Sequence, residues 1–251
     1  MRRRYRNPPV TEALCEVFYR GSEWDLTIPG EFYEHFRERF PKKRQRSEVE
    51  IQVQVGPGMP SAFTKPMEPR SQFEQEDGTR LLQVGRDLVV VNQLKPYPSF
   101  DEWRPVVLEA AGLYQELARP AAIARIGVRY INQIQVPESA FKMEHYFQLH
   151  PEIPAALGPG HGRFMMRVEI PPLHKGHLLV VTFGSAPSDG ESSQALMLDL
   201  YDMVTEPGEA DVSDLDEHLA EGHDNIERAF ESIITDAARE LFQEITDEHS
   251  A

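Results

Sequence analysis

Apolar and polar positions alternate from Val10 to Arg20: Ala13, Cys15, Val17 and Tyr19 fall on one side, Glu12, Leu14, Glu16 and Phe18 on the other. Period two predicts a strand with one face buried. Pro29-Gly30 then opens a short helix over residues 30–40, with Phe32, Phe36 and Phe40 at i, i+4 and i+8, and Pro41 stops it. The basic stretch Lys42 to Arg46 leads into a second alternating run, Val49, Ile51, Val53 and Val55. Residues 56–70 carry four prolines and two glycines and read as a loop.

Three more strands are predicted over 71–76, 79–84 and 88–94, joined by the turns Asp77-Gly78 and Gly85-Arg86-Asp87. Ser99 with Glu102 three residues on forms a capping box for a helix over 100–118, whose inner stripe is Trp103, Val107, Ala110, Ala111 and Tyr114. Pro105, within its first two turns, is able to delay the start. Strands follow at 123–136, 163–170, 177–183 and 195–205, with a connector at 151–162 and a loop at 184–194. A closing helix, capped by Ser213, covers 213–246 and extends as far as Glu248, interrupted or bent near Gly222. Its stripe of Leu215, Leu219, Ile226, Phe230, Ile233, Ala237, Leu241 and Ile245 is wide enough to cover a sheet.

Strands grouped in succession rather than alternating with helices indicate the α+β class. The expected architecture is a largely antiparallel, twisted sheet of seven to nine strands packed by three helices, in a single domain spanning 1–251. Its pseudo-halves, 1–120 and 121–251, each open with a strand. Four segments also carry a resemblance: Asn7-Pro8-Pro9-Val10-x-Glu12-Ala13-x-Cys15-Glu16-Val17, Leu82-Gln83-Val84-Gly85, Val91-Asn92-x-Leu94-x-Pro96-Tyr97, and Arg125-Ile126-Gly127-Val128-Arg129-Tyr130-Ile131-Asn132. A fainter echo is His223-x-x-Ile226-x-x-x-Phe230 on the last helix. Together they resemble a sporadically distributed bacterial and archaeal family of single-domain proteins of about this size. The resemblance implies no catalytic residue; patchy distribution associates such families with mobile or defence islands.

Charge changes the picture in one place. The 251 residues hold 26 basic and 41 acidic side chains, but residues 1–46 carry 11 basic against 7 acidic and residues 186–251 carry two against 19. The acidic quarter is either a solubilising helix face or a docking surface, with Glu227 and Glu231 its candidate contacts. The occupant of such a surface is a basic partner protein or the chain's own basic N-terminal segment. Net charge of −15 argues against a nucleic-acid-coating surface. One cysteine and no apolar run of membrane length point to a cytoplasmic location without membrane or disulfide framework.

Strand parity supplies the main candidate chemistry. Arg125 and Arg129 share one side of the 123–136 strand, Arg167 and Glu169 one side of 163–170, and Asp199 with Tyr201 one side of 195–205. With Glu12 and Glu16 they form one charged face, either laced by cross-strand ion pairs or binding an anionic ligand or partner. Arg129 is expected to pair with Glu12, Glu16 or Glu169. Triphosphate tunnel enzymes place acids and arginines this way, but their Glu-x-Glu-x-Lys strand is absent: here it reads Glu12-x-x-x-Glu16 without lysine. His161, His174 and His177 flank strands without a complete ligand set, and His218 and His223 leave different helix faces, so no metal and no cofactor is assigned. Cys15 lies on the apolar side of its strand, Gly158-Pro159-Gly160-His161-Gly162 lacks the Lys-Ser/Thr of a phosphate loop, and no Gly-x-Ser-x-Gly elbow occurs, so no catalytic residue is assigned either. The expectation is a non-enzymatic protein-binding or regulatory protein, capable of homo-oligomerising and fitting a defence or toxin-neutralising module. The alternative is an enzyme or sensor that binds a phosphorylated or nucleotide ligand on the arginine face.

Overall fold

The computed structural model describes residues 3–46, 49–54, 61–66, 69–137, 141–158, 162–171, 176–187, 194–208 and 212–245, with backbone alone over 49–66. The expected features at His161, at His174, at the capping side chain of Ser213, at residues 55–60 and at 246–251 lie outside the described residues. Nine strands form one antiparallel sheet and two form a separate hairpin. In chain order the elements are β1 (Val10–Arg20), α1 (Ile28–Phe36), β2 (Lys42–Arg46), β3 (Val49–Gln54), β4 (Ser61–Pro66), β5 (Arg70–Glu74), β6 (Arg80–Gly85), β7 (Leu88–Leu94) and α2 (Phe100–Ala118). Then come β8 (Ala122–Val136), α3 (Met143–Tyr146), β9 (Met165–Ile170), β10 (Leu178–Ala186), β11 (Gln194–Gly208), α4 (Val212–Ile233) and α5 (Asp236–Phe242).

The sheet order is β2-β5-β6-β7-β1-β8-β11-β10-β9, so the two halves meet at β1 and β8. Each half starts with its innermost strand, travels to the sheet edge, returns strand by strand to lie beside the first, and then enters a helix. Those helices, α2 and α4, pack on the same face and touch each other. This repeat of topology has no counterpart in the sequence, because the two halves bury different side chains: Trp103 and Tyr114 in the first, Leu215, Leu219 and Ile226 in the second.

The helix side holds the main core. Ala13, Cys15, Val17 and Tyr19 of β1 meet Phe32, Phe36 and Phe40 and the stripe of α2, all buried. Ser99 Oγ accepts from the Glu102 amide at 3.2 Å, and the helix begins at Phe100, so Pro105 does not delay it. Among the described residues no helix is long and apolar enough to cross a membrane.

Four local expectations are corrected. Lys42–Arg46 is not a lead-in but an edge strand paired with β5, and Ser61–Pro66, expected in a loop, pairs with β3. The first helix spans Ile28–Phe36, ending short of Phe40. The closing helix is not interrupted at Gly222; it runs on to Ile233 and breaks at residues 234–235, where Thr235 Oγ1 accepts from the Ala238 amide and caps α5. Gly222 is there for close approach: a Cβ would stand 3.0 Å from Asp202 Oδ1 and 3.1 Å from Val128 Cγ2, so this glycine lets α4 settle on the sheet.

Candidate functional site

The register gathers the expected charged residues on the face away from the helices. Glu12, Ile131, Asp199, Thr182 and Arg167 lie in one cross-strand row, and Leu14, Arg129, Tyr201, Val180 and Glu169 in the next. Within these rows the groups are already engaged. Arg129 grips Asp199 through Nε–Oδ1 at 2.8 Å and Nη2–Oδ2 at 2.5 Å. Its partner is thus none of the three expected acids. Asn92 Nδ2 donates to Glu12 at 2.7 Å, and Tyr201 Oη donates to Glu16 at 3.1 Å. Glu169, on the far side of β10, accepts from Arg167 at 2.8 Å. Tyr201 reaches Glu16 because Gly127 has no side chain in its way; a Cβ there would fall 2.4 Å from the phenol oxygen. Arg125 stacks its guanidinium 4.0 Å over Phe18.

This lattice favours self-pairing over ligand capture. Arg129→Ala should lower stability by about 1–2 kcal/mol, because Asp199, 7% exposed, loses its cation while Arg129 itself is 39% exposed and partly screened. A double-mutant cycle with Asp199→Ala in urea melts measures the pair; coupling below about 0.3 kcal/mol would show it to be idle.

A cavity of about 760 Å³ opens on the helix side, where the start of β1, the N-terminus of α2 and the middle of α4 meet. Tyr97, Tyr130, His223 and Glu227 line it together with Asn132 and the arm formed by residues 3–9. Tyr97 Oη and Tyr130 Oη are 2.7 Å apart, and Tyr130 Oη lies 3.1 Å from His223 Nδ1, so two phenols and an imidazole form one hydrogen-bonded chain. Phe100 stacks on the imidazole with ring centres 4.0 Å apart and planes 6° apart. Burial, reinforced by the Tyr97 phenol, pushes the Tyr130 hydroxyl far above the ordinary tyrosine range, so it keeps its proton at physiological pH. The sequence offered Tyr97, Tyr130 and, more faintly, His223 only as resemblance positions. Their convergence depends on α4 crossing β8.

The arm crosses the cavity by pairing with the other end of the chain. Arg6 and Asn7 amides donate to the carbonyls of Gln243 and Phe242, each at 3.0 Å, and the Ile245 amide donates to the Arg4 carbonyl at 2.8 Å. Side chains fix it further: Arg3 meets Glu244 at 2.6 Å, and Tyr5 Oη donates to Glu231 at 2.6 Å. Of the two docking candidates, Glu231 is therefore bound by the chain's own basic segment and by Arg239, while Glu227 faces the cavity. Asp216, on the same helix, is held bidentately by Arg104. His223, Asp224 and Glu227 bring one ligand atom each within 4.8 Å of one another, room for a cation, though three neighbouring groups alone do not make a metal site.

A third polar cluster is buried between α4 and the sheet. Asp202 and His177, each 2% exposed at the side chain, are joined by Nδ1–Oδ1 at 2.5 Å. A carboxylate can only accept, so the proton is assigned to His177 Nδ1, which leaves Nε2 facing His218 Nδ1 at 3.1 Å. Asn225 Nδ2 donates to the second Asp202 oxygen at 3.0 Å.

Neither a protein-family model nor a curated protein sequence matches the chain. Among solved structures, the chain aligns with the Pct1 RNA triphosphatase of S. pombe at 8% identity, covering 95% of this chain and 87% of that one, with a TM-score of 0.15. The same enzyme in complex with the Spt5 CTD aligns at 8% identity with equal coverage and a TM-score of 0.14. Scores this low carry no argument about fold or function.

Proposed function

We propose that the protein is a non-enzymatic regulatory protein that binds a small planar molecule with a polar edge, of nucleobase or aromatic-acid size, in the cavity beneath the N-terminal arm. The Tyr97–Tyr130–His223 chain on the cavity wall is the observation that carries this reading. A pocket of several hundred Å³ with aromatic walls and a few convergent polar groups is the usual form of a small-molecule site. A donor that cannot ionise in the physiological range, coupled to an imidazole able to accept or donate, reads a polar edge without doing chemistry on it. The phosphorylated-ligand alternative on the sheet face is less well supported, since Arg129 and Arg167 there already hold carboxylates. Cys15 is buried and burial raises its thiol strongly, which disfavours a nucleophilic role.

The test is calorimetry of the full chain against nucleobases, nucleosides, nucleotides and aromatic carboxylates. We expect one class to bind with Kd in the micromolar range, about −8 kcal/mol. Tyr130→Phe should weaken it about tenfold, the worth of one buried hydrogen bond. His223→Ala should weaken it further by removing both the hydrogen bond and the stacked ring. The reading fails if no class binds, or if binding is indifferent to both substitutions.

A further inference from the structure

We infer that the protein forms a two-fold homodimer through its β9 edge, with two copies of Met165–Ile170 paired antiparallel about Val168, so that two nine-stranded sheets become one. The two edges of the sheet differ in kind. β2, at one end, reads Lys-Lys-Arg-Gln-Arg, and a second copy would meet it with like charge, a usual protection of an open edge. β9, at the other end, carries one cation and one anion, and among the described residues nothing pairs with its outer side. Its side chains are unusually bare: Met165 is 71% exposed and Val168 38%.

Backbone alternation then selects the register. The Ser185 amide donates to the Phe164 carbonyl at 3.0 Å, so Phe164, Met166, Val168 and Ile170 turn their peptide groups toward β10. Met165, Arg167 and Glu169 therefore turn theirs outward, and only these can bond a new strand. A two-fold at Arg167 would set arginine against arginine, and one at Glu169 would set glutamate against glutamate. With the axis at Val168, Arg167 of each copy opposes Glu169 of the other in a hydrogen-bonded pair. Met165 falls opposite Pro171, whose carbonyl can still accept. On the other face the same register stacks Val168, 38% exposed, on its own copy and sets the partly buried Met166 beside Ile170, while Met165 stays on the charged face. The Arg167–Glu169 contact within each chain, 2.8 Å between exposed groups, is exchanged for the same contact across the axis. Charge and apolar complementarity thus agree on one register, and the occupant they fit is a second copy of this chain.

Sedimentation of the full chain across a concentration series tests this. Wild type should be dimeric; Arg167→Glu and Glu169→Arg should each raise the dimer Kd by tenfold or more, because both symmetry-related pairs become like-charged. The double variant carrying both changes should return to within about threefold of wild type. Independently, Val168→Cys in a Cys15→Ser background should form a disulfide-linked dimer on mild oxidation, since a non-hydrogen-bonded pair at a two-fold places Cα atoms about 4.5 Å apart, inside disulfide range. A chain that stays monomeric at about 100 μM, well above a micromolar dissociation constant, overturns the inference. So does a dimer whose affinity neither charge reversal changes and which Val168→Cys fails to cross-link.

Discussion

Between about pH 9 and 11 the protein is expected to lose most of its stability, well before its arginines titrate. Burial raises the Cys15 thiol and the phenols of Tyr19 and Tyr130 strongly in the folded state. In the unfolded chain they return to ordinary values, about 8.5 for thiol and 10 for phenol. A group whose folded pKa lies above its unfolded one stabilises fully below the unfolded value, and that contribution drains away as pH rises through the interval between them. Each such group then costs about 1.4 kcal/mol per pH unit. At pH 11 the three together remove roughly 6 kcal/mol, comparable to the whole stability of a typical domain. Tyr201, whose phenol burial and Glu16 also raise, adds a smaller share because it is only partly buried. Thermal melts from pH 7 to 11 check this, and Cys15→Ala should erase the part lost between pH 9 and 10. A melting temperature flat to pH 11 would contradict the burial of these groups.

Asp202→Ala is expected to cost about 2–5 kcal/mol, because two buried donors lose their acceptor at about 1–3 kcal/mol each. Asp202 accepts from both His177 and Asn225, and α4 closes over all three. Without the carboxylate, the His177 Nδ1–H and the Asn225 amide face no acceptor in a space too enclosed for bulk water. Asp202→Asn should cost less, because its carbonyl still accepts from His177 and the Asn225 amide can turn its partnerless Oδ1 toward the new amide donor. Urea unfolding measures both. A loss below about 1 kcal/mol for the alanine variant would mean that water enters and that the cluster is less sealed than its burial implies.

Much of the fold can be read from parity alone, because a side-chain period of two leaves each strand one choice of faces. Glu12, Glu16, Arg125, Arg129, Arg167, Glu169 and Asp199 reach a common face for that reason. Which acid Arg129 holds is not legible, since it turns on the stagger between β8 and β11 and on Asn92 and Tyr201 engaging Glu12 and Glu16 first. The Asp202 cluster left a signal that single-residue reading passes over: Asp202 shares the apolar parity of Leu198, Leu200 and Val204, and a carboxylate on a core face requires partners. His177 and His218, 41 residues apart in sequence, each look like surface histidines when taken singly. The break before α5 was signalled by Thr235 with Asp236, a helix-start pair hidden within an apolar stripe that runs on. The cavity had no such mark, because it exists only when residues 3–9 lie against 242–245 and α4 lies across β8.

The seam between the halves has a consequence during synthesis. β1 gains its β7 neighbour once Leu94 has emerged, but its other side waits for β8, complete only at Val136. In that interval the nascent first half holds an open edge at what will be the middle of the sheet, beside Ala13, Cys15 and Val17. Such an edge recruits any available strand, including that of a neighbouring nascent chain. β8, fifteen residues long, closes it along most of its length with the Arg125 to Asn132 segment. The second half thus serves the first as a cap delivered in cis, and the stretch of translation between those two strands leaves this inner edge open to misassembly.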